Sequence, residues 1–267
     1  MTEQSILIVG CGNMGGAMLA GWLAGGIAPE RLAVVDPLLA EVPPGVTLRR
    51  DLPNQHKGLI LLGIKPQLFD AVAPQLAALA GPDSTVISML AGIELASLAG
   101  RFPNAAGVVR VMPNLAAALD KSPVALAGLG LAEDRRAAIT ALMQPLGEPL
   151  WLADDSEFDL ITALVGSGPA FVYRFIDALA AGATGLGLDP ALAERFAVSM
   201  VEGAAALAAA SDASPAELAK RVSSPGGTTE CGVAVLDADA ALARLIEATL
   251  RAARDRGREL AEAARGA

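Results

Sequence analysis

The chain has 267 residues and a formal net charge of -9, with 53% apolar and only 3% aromatic side chains. That length can bury one large core or two moderate ones, and the alanine-heavy, aromatic-poor composition favours closely packed helices over a β sandwich. The acidic balance argues against a nucleic-acid partner, which demands a basic footprint, and points to a small-molecule ligand.

Residues 1–10 lack the basic start of a signal peptide, and no uninterrupted apolar run is long enough for a bilayer, so no membrane partner is expected. Two cysteines, Cys11 and Cys231, cannot build a disulfide framework, which makes a cytoplasmic location the default. Neither has a histidine nearby in sequence, so both read as space-filling residues. The single histidine, His56, sits in the polar run Pro53-Asn54-Gln55-His56-Lys57. No metal site is expected from this composition.

Ser5–Val9 reads as a buried parallel strand. Gly10-Cys11-Gly12-Asn13-Met14-Gly15-Gly16 follows, then a helical stretch ending at Gly25-Gly26. Residues 31–35 form the next strand, and Asp36 closes it about 20 residues beyond the glycines. This is the dinucleotide fingerprint: two glycines for a tight turn and close pyrophosphate approach, a third for helix–strand contact, and an acid for the ribose hydroxyls. Further strands are expected at 59–64, 85–89, 107–112 and 124–127, with helices at 67–79, 94–99 and 133–146, an alternation that implies a doubly wound α/β sheet. Ligands sit beyond the carboxyl ends of such strands, so Lys65-Pro66 and Asn114 fall at candidate positions. On the residues alone Lys65 reads as a solvated charge ahead of a ligand contact, and Asn114 equally as a nicotinamide ligand or a turn cap.

From about Asp155 onward strand signals stop. Helices are expected at 156–165, 170–182, 190–210, Pro215–Val222, 229–236 and 240–264, with a capping box at Ser214-Pro215-Ala216-Glu217. The expected organisation is therefore a cofactor-binding domain over 1–153 and a helical domain over 154–267, whose small residues allow close helix approach or pairing with a second subunit. Between two of these helices lies Val222-Ser223-Ser224-Pro225-Gly226-Gly227-Thr228-Thr229-Glu230. Glycines bare the backbone and a following helix offers unpaired N–H groups, so this segment reads as a carboxylate cradle or as an ordinary capped loop.

These residues, with Ala91-Gly92, Arg110-Val111-Met112-Pro113-Asn114 and Gly166-Ser167-Gly168-Pro169-Ala170-Phe171, make the chain resemble the pyrroline-5-carboxylate reductases. The resemblance runs through nearly the whole chain, and the segment 222–229 is its most specific part. It implies a Rossmann-like domain followed by an all-helical dimerisation domain, assembly as a homodimer or a ring of dimers, and hydride transfer from NADPH or NADH to the C=N carbon of 1-pyrroline-5-carboxylate, giving L-proline. By this resemblance Gly10, Cys11, Gly12, Asn13, Met14, Gly15, Asp36, Lys65, Pro66, Ala91 and Asn114 bind the cofactor. Ser224, Gly226, Gly227 and Thr228 hold the carboxylate, with Thr229 as the catalytic hydroxyl on the ring nitrogen.

An iminium accepts hydride without a metal or a covalent intermediate, so catalysis by alignment suits a chain with one histidine. The chain departs from the family pattern at Leu115-Ala116, where Thr-Pro is common, and at Leu90, where a small residue is usual. Asn54 is the candidate for a further cofactor-holding asparagine. Asp36 would repel a 2′-phosphate unless Arg49 or Arg50 folds back, so NADH is expected to serve at least as well as NADPH. Alternatives are a reductase of a related cyclic imino acid, and a β-hydroxyacid dehydrogenase, whose expected lysine after Gly166-Ser167-Gly168 is replaced by Val172. A non-catalytic nucleotide sensor is the third, and it would have no need of Ser224 to Thr229.

Overall fold

The computed structural model describes residues 4–265; of the leader-free reading of residues 1–10, the first three residues lie outside the described ones. Eight strands, β1 (Ser5–Val9), β2 (Leu32–Val35), β3 (Thr47–Arg49), β4 (Gly58–Leu62), β5 (Ser84–Ser88), β6 (Val108–Met112), β7 (Ser122–Leu129) and β8 (Gly147–Trp151), form one sheet in the order β3-β2-β1-β4-β5-β6-β7-β8. Strands β1 to β6 run parallel. β7 is antiparallel to β6, and β8 is parallel to β7. The turn at β6–β7 follows from length: residues 113–121 are too few for a parallel crossover, which takes a dozen or more.

Alternation sends side chains to both faces of the sheet. On one side Ile6, Ile8, Leu59 and Leu61 meet Met18, Leu19 and Trp22 of α1 (Asn13–Ala24) and Ile139, Leu142 and Met143 of α4 (Glu133–Met143). On the other, Leu7, Val9, Ile60 and Leu62 meet Phe69, Ala73 and Leu76 of α2 (Phe69–Leu79) and Leu95 and Leu98 of α3 (Leu95–Arg101). Each Leu, Ile, Val, Met and Phe among them contributes about 1.5–3 kcal/mol by burial. Trp22, with none of its surface exposed, satisfies its indole N–H on the Leu142 carbonyl at 2.8 Å.

The chain divides into two compact units, one running to Ser167 and resuming at Ala252, the other Gly168–Arg251. The first therefore includes α5 (Phe158–Ile161), the widened helical turn Thr162–Gly166, and the last part of α10 (Ala241–Arg265). Phe158 is 1% exposed and belongs to the core beneath the sheet. A Cβ at Gly92 would lie 3.0 Å from the Ala261 nitrogen, so α10 rests directly on the turn after β5. Arg110 of β6, 2% exposed, pairs with Asp155 at 3.2 Å and lies 4.0 Å over the Phe158 ring. The same Asp155 oxygen accepts the Leu95 N–H at the start of α3 at 2.8 Å.

The second unit is helical throughout: α6 (Gly168–Gly185), α7 (Pro190–Ala209), α8 (Pro215–Val222), α9 (Thr228–Asp237) and the start of α10. α6 packs along α7, where Ala193 and Ala197 are buried. Asp189 caps α7 by accepting the Leu192 N–H at 3.0 Å. The capping box between Ser214 and Glu217 forms on α8. Many large apolar side chains of this unit are exposed, among them Tyr173, Phe175, Phe196, Leu207, Val235 and Leu245.

Candidate functional site

Five adjacent parallel strands, β2, β1, β4, β5 and β6, end at one edge of the sheet. The loops they release carry, in the same spatial order, Asp36, the glycine turn, Lys65-Pro66, Ala91-Gly92 and Asn114. Between β1 and β4 the chain order reverses, the switch point where such sheets bind ligands.

The three fingerprint glycines meet three different demands. Gly10 has φ +84°, and a Cβ there would sit 2.7 Å from the Ile64 nitrogen. Gly15 is pinned by the Gly10 carbonyl, 3.0 Å from where its Cβ would be, so helix and turn touch. Gly12 has open space around its missing Cβ and forms the N-cap of α1 without any side-chain cap. The N–H groups of Asn13, Met14 and Gly15 begin that helix and have no intrahelical acceptor, and the first turn carries no acid. An anionic group fits there, because bare backbone and the positive helix end act together. Gly63 adds a contact that the fingerprint does not specify: its Cβ would fall 2.4 Å from the Gly10 carbonyl.

Asp36 is half-buried and tied to this loop. Its Oδ2 accepts the Cys11 N–H at 2.9 Å, and its Oδ1 accepts those of Leu38 and Leu39 at 2.9 and 3.1 Å. Burial works to raise its pKa, but the three N–H donors and nearby Arg50 outweigh it and hold the carboxyl below its ordinary value. The Arg50 Nη1 donates to the carbonyls of Asp36 and Leu39 at 2.9 and 2.5 Å. Cys11 itself is buried beside Gly15, and burial plus the Asp36 charge pushes its thiol up. That is the opposite of a nucleophile's setting.

Lys65 is exposed in extended backbone ahead of the short helical turn Pro66–Leu68, with Pro66 at its first position. Ala91 is half-buried beside Gly92, whose φ is +78°. Leu90, larger than the family pattern has there, is 3% exposed and fills the core. Asn114 is 7% exposed with its amide largely committed. Its Oδ1 accepts the Ala116 N–H at 2.9 Å and its Nδ2 donates to the Val165 carbonyl at 3.2 Å. Of the two roles open in the sequence, the turn cap is therefore the one its contacts display.

The segment 222–229 lies in the second unit. Gly226 has φ +70°. Gly227 donates its N–H to the Ser224 carbonyl at 2.9 Å, and a Cβ on it would fall 2.6 Å from Ser224 Oγ. Ser224, Gly226, Thr228 and Thr229 are exposed. Gly227 N-caps α9 with no side-chain cap, so the N–H groups of Thr228 and Thr229 open the helix. Glu230 reaches back and accepts the Gly226 N–H at 2.7 Å. The N–H groups of Gly226 and Gly227 are thus used within the turn, and the donors left for an anion belong to Thr228, Thr229 and the hydroxyls of this segment. The sequence places Glu230 at the end of this stretch without a role, although its position three residues after the N-cap is that of a capping box.

Among the described residues no group of three or more His, Cys, Asp or Glu side chains could hold a metal ion, and no helix is long and apolar enough to cross a membrane.

A mostly parallel sheet with a glycine-cradled helix end at its switch point defines the dinucleotide-binding, Rossmann-like class of proteins. Residues 5–92 match a family described as NADP oxidoreductase, coenzyme F420-dependent, and residues 155–260 match pyrroline-5-carboxylate reductase dimerisation. A pyrroline-5-carboxylate reductase of Pseudomonas aeruginosa is 33% identical over 98% of both chains, and one of Synechocystis 36% identical over 95% of this chain and 97% of its own. The solved pyrroline-5-carboxylate reductase of Coxiella burnetii superposes with a TM-score of 0.86 at 28% identity, covering 97% of this chain and 98% of that one. The chain belongs to the pyrroline-5-carboxylate reductase family.

Proposed function

We propose that this protein reduces 1-pyrroline-5-carboxylate to L-proline with NADPH or NADH, as the last step of proline biosynthesis. The observation that carries the proposal is the presence in one chain of two uncapped, glycine-led helix starts, at α1 and at α9. One suits a pyrophosphate and the other a carboxylate. Full-length similarity to relatives that bear this name supports it.

In this reading the N–H groups of Asn13, Met14 and Gly15 hold the pyrophosphate and Asp36 the adenosine ribose. Gly10, Cys11 and Gly12 shape the loop, and Lys65, Pro66 and Ala91 line the same sheet edge. When bound, the reduced nicotinamide supplies the hydride. Asn114 keeps its place in the site by fixing the loop after β6. Thr228 and Thr229 N–H groups and the Ser224 hydroxyl bind the substrate carboxylate, in a turn whose shape depends on Gly226 and Gly227. The Thr229 hydroxyl hydrogen-bonds the ring nitrogen and orients the C=N carbon. A hydroxyl is too weak an acid to protonate the imine by itself, so its part is alignment and relay of a proton from water.

The functional division we propose assigns 1–153 to the cofactor and 154–267 to substrate and dimerisation, in keeping with the family match over residues 155–260. Self-association as a dimer follows from that match and from the exposed apolar side chains of α6, α7, α9 and α10; a ring of dimers is the larger assembly proposed. The location proposed is the cytoplasm, where two thiols stay reduced. The test is the initial rate of NADH and NADPH oxidation by purified protein, with 1-pyrroline-5-carboxylate added and then omitted, and proline assayed as product. Substrate-dependent oxidation that yields proline is expected. Cofactor binding without oxidation would refute the proposal.

A further inference from the structure

The turn after β2 is built to hold a fixed negative charge where a dinucleotide's adenosine ribose belongs. Three backbone N–H groups converge on Asp36, and one of them, from Cys11, lies between the two glycines that shape the pyrophosphate loop. The carboxylate is thereby positioned by the cofactor loop itself. It accepts only, with about four lone-pair sites for three donors. What remains on Oδ2 suits a hydroxyl that donates, as the ribose 2′-OH does. A 2′-phosphate brings a charge of about -1.5 to -2 and no such donor.

We infer that Asp36 makes this chain select NADH over NADPH, a reading that rests on the proposed reductase activity and adds its cofactor choice. Arg50 opposes this by its positive charge. Its Nη1 is fastened to the carbonyls of Asp36 and Leu39, so it steadies the turn. Meeting a 2′-phosphate would require it to leave them. Arg49, its neighbour on β3, is exposed. Burial works against it, but the three N–H donors and Arg50 hold the pKa of Asp36 below the ordinary 3.8, so Asp36 carries its charge at neutral pH. A carboxylate about 5 Å from a dianion in water costs on the order of tenfold in affinity.

The test is equilibrium titration of the full-length protein with NADH and with NADPH, read by nicotinamide fluorescence without substrate, for the natural chain and for Asp36→Asn. NADH is expected to bind about tenfold or more tightly than NADPH in the natural chain. Asp36→Asn keeps an oxygen for the Leu38 and Leu39 N–H groups, gives up the bond from the Cys11 N–H and removes the charge, so NADH binding should weaken while the ratio of the two Kd values falls by about tenfold. NADPH binding as tightly as NADH in the natural chain overturns the inference, and that measurement needs no variant. Equal weakening of both cofactors in Asp36→Asn, with the ratio unchanged, also overturns it, because Asp36 would then serve the fold alone. Binding of neither cofactor is a different failure, which overturns the reductase reading beneath it.

Discussion

Asp155→Asn and Arg110→Met break one ion pair from opposite sides, and the structure says they should not cost the same. The Arg110 side chain is 3% exposed and that of Asp155 26%. Removing the aspartate charge strands a guanidinium in the core, with its Nε already lacking an acceptor. Burial pulls the Arg110 pKa down while the charge and hydrogen bond of Asp155, and then the charges of Asp159 and Glu94, oppose it. Removing the arginine instead leaves a carboxylate that water reaches and that keeps the Leu95 N–H at 2.8 Å. Losing one partner of a buried pair costs about 3–5 kcal/mol. Asp159 and Glu94 still support Arg110, which brings Asp155→Asn to ~2–3 kcal/mol, whereas Met refills the arginine's volume and Arg110→Met costs ~1 kcal/mol. At about 2–4 °C per kcal/mol for a chain of this size, the expected falls in Tm are about 4–12 °C and about 2–4 °C. Tryptophan fluorescence isolates the effect, because Trp22 and Trp151, the two tryptophans of the chain, both lie in the first unit. Arg110→Met proving as costly as Asp155→Asn would refute the reasoning, since burial would then not decide which charge is stranded.

Gly12→Ala and Gly10→Ala should separate binding from folding. The first places a methyl in open space at an ordinary φ of -71°, so Tm should hold within a degree or two while the dinucleotide Kd rises about tenfold or more by calorimetric titration. The second forces φ +84° and a backbone clash and should lower Tm outright. Thr229→Ala should lower kcat about 10-fold to 100-fold, matching a lost hydrogen bond of about 1.5–3 kcal/mol, and unchanged kinetics would remove Thr229 from the mechanism. Asp36 has a folded pKa below its ordinary value of 3.8, so the stability it contributes is complete above that value and is lost as pH falls through the lower folded one. The Tm gap between the natural chain and Asp36→Asn should therefore be constant near neutral pH and close below about pH 4; a gap that widens on acidification would reverse the sign.

The parallel strands were legible because each is a short apolar run bounded by glycine, proline or charge. β3 and β8 were not. Thr47–Arg49 is three residues at an edge, with two of them exposed, and Gly147–Trp151 contains Glu148 and Pro149, which break the apolar pattern. A proline is tolerated there because β8 is an edge strand whose outer N–H groups need no partner. The fingerprint glycines could be read by spacing, since their three roles are fixed by backbone geometry. Asn114 could not be resolved, because whether a buried amide serves a ligand or a turn depends on Val165, far away in sequence. The same holds for Arg110: nothing local announces that its counter-ion is Asp155. Glu230 carried a local signal, its spacing from Gly227, that the hydroxyls around it obscured.

One helix, α10, begins in the second unit and ends in the first, where Ala261 rests on Gly92. In chain order the helical unit is therefore an insertion, with sequence of the sheet unit on both sides of it. A protease that cuts anywhere within Gly168–Arg251 leaves two fragments, each carrying a share of the same folded body. They stay together until that body unfolds, so a nicked enzyme would still elute as one particle and come apart only in denaturant.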